Sequence, residues 1–385
     1  MQKIITTLFL ALALAPAALA AVPLGYTRSP TSAVAGKSFN RFVTIWLENT
    51  DYDKAAGDPS LLWVASKGIT LANYFAVTHP SEPNYVASVG GEYFGINNDD
   101  PNTIPSNVSS IADLLEDKSI TWGLYQEDMP YSGFTGAEFK NPVTKANDYV
   151  RKHNPLVMFG SVASDPERLA LIKNLTYFEQ DLANKALPQW MFITPNMTSD
   201  GHDTSVTVAG AWTRRFLEPL LTNEYFMKDT LILVTFDENH SYTSQNRVFS
   251  VLLGGAVPKG LIGTTDSTFY NHYSEIATVA ANWDLYTLGR FDVGANVFSF
   301  VAKATKDVVR TLSNLSNTYL NESYPGIFNS KTWAPMPRPN TELVVNGRTV
   351  LPKITAIWGS PSAGTVYAGS LDVPSAANPP KIKYA

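Results

Sequence analysis

The chain has no cysteine among its 385 residues, and only 16% of them are charged. Without thiols there is no thiolate nucleophile and no disulfide, so stability must come from a large core, from glycans or from bound metal. Net charge is −5, with no long basic run. A surface that tracks nucleic-acid phosphates needs clustered Lys and Arg, so no nucleic-acid partner is expected. Long apolar runs are scarce as well. One, Ile4 to Leu14, follows Lys3 and precedes Ala18-Leu19-Ala20. That pattern reads as a signal peptide over residues 1–20 and implies a secreted, extracellular protein. It is too short to span a bilayer, and no lipid-anchor tail closes the sequence, so no stable membrane anchor is expected.

What is present points to an α/β fold with a largely parallel sheet. Short apolar runs read as buried strands: Phe42 to Leu47, Ile69 to Val77, Ile120 to Tyr125, Trp190 to Thr194, Thr230 to Phe236 and Val248 to Leu253. Helical periodicity falls between them, at Ser60 to Lys67, Ser110 to Asp117, Tyr177 to Ala186, Ala209 to Leu221 and from Tyr270 through Trp283. Phe134 to Lys152 reads as irregular. Beyond Thr305 the composition shifts towards Ser, Asn, Thr and Pro. The expected division is therefore a catalytic domain over 21–305 and a C-terminal extension, accessory or loosely packed, over 306–385.

The stretch Thr78-His79-Pro80-Ser81-Glu82-Pro83-Asn84-Tyr85 lies between a strand and a helix that Gly90-Gly91 should stop. Ser81 is expected at or near the N-cap. There a hydroxyl sits among unpaired N–H groups that an incoming phosphate would also meet. Such a serine is either a plain cap or a nucleophile. Two strand ends carry paired oxygen ligands, Glu48-Asn49 and Asp237-Glu238, a set that suits one hard divalent cation. The five histidines, His79, His153, His202, His240 and His272, all fall in polar loops at strand ends or helix starts. As imidazolium cations they would suit a phosphate dianion and favour activity on the acid side of neutrality. Six Asn-x-Ser/Thr sequons occur. Asn107, Asn174, Asn314 and Asn321 are expected to carry glycans in a eukaryotic host. Asn196 and Asn239, inside polar motifs, are expected to be bare.

Taken together, Glu48-Asn49-Thr50-x-Tyr52-Asp53, Ser81-x-Pro83-Asn84, Glu127-Asp128-Met129-Pro130, Lys152-His153-Asn154-Pro155, Pro195-Asn196-x-x-x-Asp200-Gly201-His202-Asp203 and Asp237-Glu238 resemble the phosphoesterase family over about residues 40–300. That family holds fungal secreted acid phosphatases, bacterial acid phosphatases and non-specific phospholipases C, within the alkaline-phosphatase-like superfamily. The resemblance implies an α/β three-layer sandwich and an acid phosphatase acting on small phosphate monoesters through a phosphoserine. It implies Ser81 as nucleophile and His202 and His272 facing the phosphate, with His153 or His272 protonating the leaving group. Asn84, Asp200 and His79 fall to substrate binding, and Glu48, Asn49, Asp237 and Glu238 to the metal. Two-metal superfamily members have an Asp where Asn196 stands and a His where Glu238 stands, so one divalent metal is expected. The phospholipase branch follows its Glu-Asn with Arg-Ser-Phe-Asp-His. Here Thr50-Asp51-Tyr52-Asp53-Lys54 follows, which argues against that branch. The alternatives are a phospholipase C-type phosphodiesterase of the same family and, from another class, a non-catalytic secreted glycoprotein.

Overall fold

The computed structural model describes residues 24–359, 366–371 and 374–380. The expected signal peptide lies outside them. The strands are β1 Arg41–Leu47, β2 Gly68–Phe75, β3 Trp122–Gln126, β4 Glu138–Lys140, β5 Asn147–Val150, β6 Ile172–Asn174, β7 Trp190–Thr194, β8 Thr230–Phe236, β9 Val251–Leu253, β10 Thr264–Asn271, β11 Val344–Val345 and β12 Arg348–Thr349. Eight of them form one sheet in the order β10-β2-β9-β8-β1-β7-β3-β6. Within it β9 alone runs antiparallel, against β2 and β8. The central strands are apolar because both faces are covered: all seven residues of β8 are buried.

The longer helices are α1 Pro59–Ala65, α2 Ser81–Gly90, α3 Ile111–Asp117, α4 Thr176–Ala183, α5 Val206–Leu220, α6 Tyr273–Trp283, α7 Ser299–Thr305 and α8 Pro352–Trp358. α1 packs with α5 in one layer, and α2 packs with α6 and α3 in another. The sheet between them completes the expected three-layer α/β sandwich. α2 is buried throughout and stops at Gly91, whose φ of 67° is a left-handed cap that glycine takes without steric cost.

Several expectations change. The stretch 134–152 contains a hairpin, β4 with β5. The strand expected from Val248 begins only at Val251. β10 had no apolar signature because its first half is exposed; it leads directly into His272. The chain after residue 305 is packed in: Tyr324, Val350, Leu351, Ile354 and Tyr367 are buried in the main core. There the Tyr367 hydroxyl donates to Glu92 at 2.7 Å. Among the described residues no helix is long and apolar enough to cross a membrane.

Candidate active site

Because all strands of the sheet but β9 run one way, their C-terminal ends open on one edge, where ligands bind in open α/β sheets. Leu47 of β1 pairs with Phe236 of β8, so Glu48 and Asp237 follow side by side. The Asp237 N–H bonds the Leu47 carbonyl at 3.0 Å, and the Glu48 N–H bonds the Asp200 carbonyl at 3.0 Å. Three acids from β1, β8 and the loop after β7 are thus brought together by backbone bonds alone.

Ser81 is the first residue of α2, with Pro80 as N-cap, at the expected helix start. Its buried hydroxyl does not cap the helix but donates to Glu48 Oε2 at 3.1 Å. Glu48 Oε1 accepts from the Tyr85 hydroxyl at 2.7 Å, one helical turn further on. The His153 ring stacks on Tyr85. Its Nε2 lies 3.1 Å from Glu48 Oε1 and its Nδ1 3.4 Å from Asp200 Oδ2. Asp200 Oδ1 accepts the His202 N–H at 2.8 Å, and Asp237 Oδ1 accepts the Asn49 N–H at 3.0 Å.

Burial followed by the neighbouring Asp237 and Asp200 raises the Glu48 carboxyl well above the usual carboxylate range. Burial also raises Asp200 strongly, and it raises Asp237. Glu238 is raised by burial and then by Asp237. Several buried atoms here have no well-aligned hydrogen-bond partner: Asn49 Oδ1, His153 Nε2, Asp200 Oδ2, Asp237 Oδ2 and Glu238 Oε2. Buried acceptors left unpaired are costly. Mutually repelling carboxylates with free oxygens are what a divalent cation would satisfy, so the donor set fits one. The tightest grouping is Glu48, His153 and Asp200, whose ligand atoms lie within 4.8 Å of one another. Only Glu48 belongs both to that trio and to the expected quartet.

Other expected residues are placed differently. Asn84 accepts the Val77 and Thr78 N–H groups at 2.9 and 3.3 Å and donates to the Thr78 and Pro80 carbonyls at 2.8 and 3.1 Å. That uses its full capacity on the loop before Ser81 and leaves nothing for substrate. His272 is fully buried beneath the site, with Nε2 2.7 Å from the Asp237 carbonyl oxygen and Nδ1 3.4 Å from the Tyr74 hydroxyl. It steadies Asp237 rather than facing an incoming phosphate. His79 Nδ1 lies 2.5 Å from Glu238 Oε2, and its ring stacks on Tyr242. His202 is partly exposed, with Nδ1 2.8 Å from Asp203 Oδ1. His240 is exposed.

The expectation of cationic histidines does not hold for three of them in the free protein. Burial lowers His79 to about 4, His272 to about 3, and His153 well below the ordinary imidazole value. Among the sequons, Asn107 and Asn314 are exposed. Asn174 and Asn321 are not free: their amides donate to the Met129 carbonyl and to the Tyr242 and Ser244 carbonyls. A glycan on either nitrogen would disturb those bonds. The Asn196 and Asn239 amides are hydrogen-bonded too, to Asp128 and to the Ser244 hydroxyl.

Sequence reasoning missed Tyr85, Lys152, Tyr242 and Asn321 as parts of this site. Tyr85 and Lys152 stand inside motifs already singled out. Tyr242 carried no signal, and Asn321 stood out only as a sequon; it arrives from the C-terminal stretch to place Oδ1 3.3 Å from His79 Nε2. Glu127 and Asp128 hold the loop after β7: Glu127 accepts from the Asn196 N–H and the Trp212 indole, and Asp128 from the Asn196 amide.

A buried serine at a helix start, set against converging acids at the carboxyl edge of a parallel sheet, defines a hydrolase-type site. The family model of the Phosphoesterase family matches residues 56–286. An acid phosphatase of Aspergillus fumigatus is 58% identical over 77% of this chain and 66% of its own length. A probable acid phosphatase of Kluyveromyces lactis is 55% identical over 85% of this chain and 77% of its own. A phosphatidylinositol-3-phosphatase of Mycobacterium tuberculosis is 31% identical over 66% and 79%. Among solved structures, a protein of the alkaline phosphatase superfamily from Vibrio parahaemolyticus aligns at a TM-score of 0.42 and 12% identity, over 67% of this chain and 69% of its own. The chain belongs to the phosphoesterase family, whose enzymes hydrolyse phosphoric esters.

Proposed function

We propose that this protein is a secreted acid phosphatase that hydrolyses small phosphate monoesters through a phosphoserine at Ser81, with one divalent metal. The observation that carries the reading is the Ser81 hydroxyl, held at a helix start and donating to Glu48 at 3.1 Å amid acids with unpaired oxygens. Glu48, Asn49, Asp237 and Glu238, with Asp200 and His153 beside them, are the residues that would hold the cation. A divalent ion there supplies charge neutralisation and lowers the pKa of a neighbouring hydroxyl.

The remaining chemistry belongs to the chain. Asn84 ties down residues 77–80, so the Ser81 oxygen is presented in one orientation. The serine hydroxyl has its proton directed at the Glu48 carboxylate; as the deprotonated oxygen bonds phosphorus in line, the bond to the leaving alcohol breaks, and water then hydrolyses the phosphoserine to release phosphate. The His153 ring, held by Tyr85, stands within reach of the same carboxylate. His202, partly exposed beside Asp203, is the histidine we assign to meeting the phosphate. A cavity of about 530 Å³ beside His79 and Pro80 is lined by Asn97, Asn321, Glu322, Asn329 and Lys331. Tyr242, Pro80 and Pro325 also form its wall, so the cavity offers both polar and apolar surface to a leaving group. Asn107 and Asn314 are the sequons free to carry glycans.

A substrate panel on purified protein tests the reading. Phosphate release from monoesters, lost with a chelator and restored by a divalent cation, is expected. Faster hydrolysis of phospholipid diesters than of monoesters would replace it with the phospholipase reading.

A further inference from the structure

A phosphate dianion that enters this site meets several converging acids. The β1–β8 register and the Glu48–Asp200 backbone bond bring Glu48, Asp200 and Asp237 together, and Glu238 follows next along the chain. A cluster of carboxylates repels a phosphate dianion unless cations offset it. One ammonium stands at its mouth. The Lys152 side chain is 16% exposed, and its charge bears on Glu48, Asp200, Asp237 and Glu238.

Its position is built rather than incidental. Asp99 Oδ2 accepts from Lys152 Nζ at 2.9 Å, and Asp99 Oδ1 accepts the Glu82 N–H at 3.1 Å. One carboxylate thus bridges Lys152 to the residue next to Ser81. On the other side Lys152 Nζ is 3.5 Å from His202 Nε2, and the His202 ring is 5.9 Å from that of His153. His202 is fixed in turn by Asp203. An ammonium has three donors. Asp99 takes one, His202 faces a second at the long limit, and the third is left for an oxygen outside the protein. An ordinary lysine amine is protonated throughout the acid range, so Lys152 acts by charge.

We propose that Lys152 binds the substrate's phosphate and that Asp99 is its positioning residue, an assignment that rests on the phosphatase reading above. Lys152 offers an oxygen of the transferred group a charge-assisted hydrogen bond, and it offsets the acids that would otherwise turn the anion away. No bond to Lys152 is made or broken in the reaction.

The test is inorganic phosphate binding by calorimetry, together with kcat and KM on a monoester, for wild type, K152R, K152Q and K152M, with thermal unfolding of each. K152Q and K152M should weaken phosphate binding by about tenfold or more and raise KM, with unfolding midpoints near wild type. K152R, which keeps the charge, should stay within a few-fold. Wild-type phosphate affinity in either folded neutral variant overturns the assignment. So does loss of fold in both neutral variants with K152R folded, since the charge would then serve the structure. The phosphatase reading fails separately, if wild type neither binds inorganic phosphate nor releases it from any monoester.

Discussion

The ends of β1 and β8 look alike in sequence and differ in use. Each is a buried strand that stops at an acid followed by a second oxygen ligand, and their register sets Glu48 beside Asp237. Glu48 is heavily partnered: Ser81 and Tyr85 donate to it, and His153 stands 3.1 Å away. Asp237 uses one oxygen to hold the Asn49 backbone, at a φ of 43°, and leaves the other unpaired. The second members part company as well. Asn49 keeps an unpaired side-chain oxygen, whereas Glu238 turns to His79. Glu48 thus faces the serine and the rings beside it, while Asp237 and Asn49 each keep a buried oxygen without an aligned partner. A pair of adjacent acids in a sequence is not a pair in space.

The largest effect should come from the group both ends serve. Ser81→Ala is expected to lower kcat by a thousandfold or more, since removing a nucleophile abolishes most turnover. It should keep wild-type denaturant midpoints to within about 1 kcal/mol, because its hydroxyl makes one net-modest bond. Appreciable turnover in the folded variant would remove Ser81 as nucleophile.

The comparison itself is tested by Glu48→Gln, Asp237→Asn and Glu238→Gln, each assayed for bound metal and kcat/KM. We expect the first two to lose most of their metal and roughly a hundredfold or more of activity. Glu238→Gln should keep more of both, because His79 already neighbours its carboxylate. Equal losses in all three would make the two strand ends equivalent.

A smaller effect is expected at Asn84, which serves the loop alone. Asn84→Ala strands the Val77 and Thr78 N–H groups and should cost about 2–3 kcal/mol in chemical denaturation. The rate should fall by roughly a factor of ten through misplacement of Ser81, with metal content unchanged.

The mildest prediction concerns a buried acid outside the site. Glu275 accepts from the Tyr74 hydroxyl at 3.2 Å, and burial raises it to about 8. The unfolded chain releases that proton near 4.5, so the folded form holds more protons between the two values. Stability is then fullest below about pH 4.5 and falls as pH rises towards 8, by on the order of a few kcal/mol. Glu275→Gln should flatten that slope in thermal melts taken across the range. A mutant slope equal to wild type would mean the carboxyl is already ionised in the fold.

Much of this was legible from local pattern. The apolar runs of β1, β7 and β8 and the polar residues that end them required only periodicity, because strands buried on both faces must be apolar and must break where they reach the ligand edge. β10 was missed because Thr264 to Thr268 is largely exposed and polar, and a strand at a sheet edge need not be apolar. The role of residues after 305 was missed because Asn321 and Tyr367 act through partners more than 200 residues away.

The sequence by itself determined which chemical groups arrive at the carboxyl edge: a serine at a helix start, acids after apolar strands, histidines in loops. Those are consequences of local hydrophobic period and helix signals. Only the tertiary structure decided which of them share a centre. Asn84 and His272 turned inward to serve backbone groups, Lys152 was bridged to the serine's helix through Asp99, and three imidazoles were held neutral. Strand register and desolvation are properties of residues distant along the chain, and neither leaves a mark in any one stretch of it.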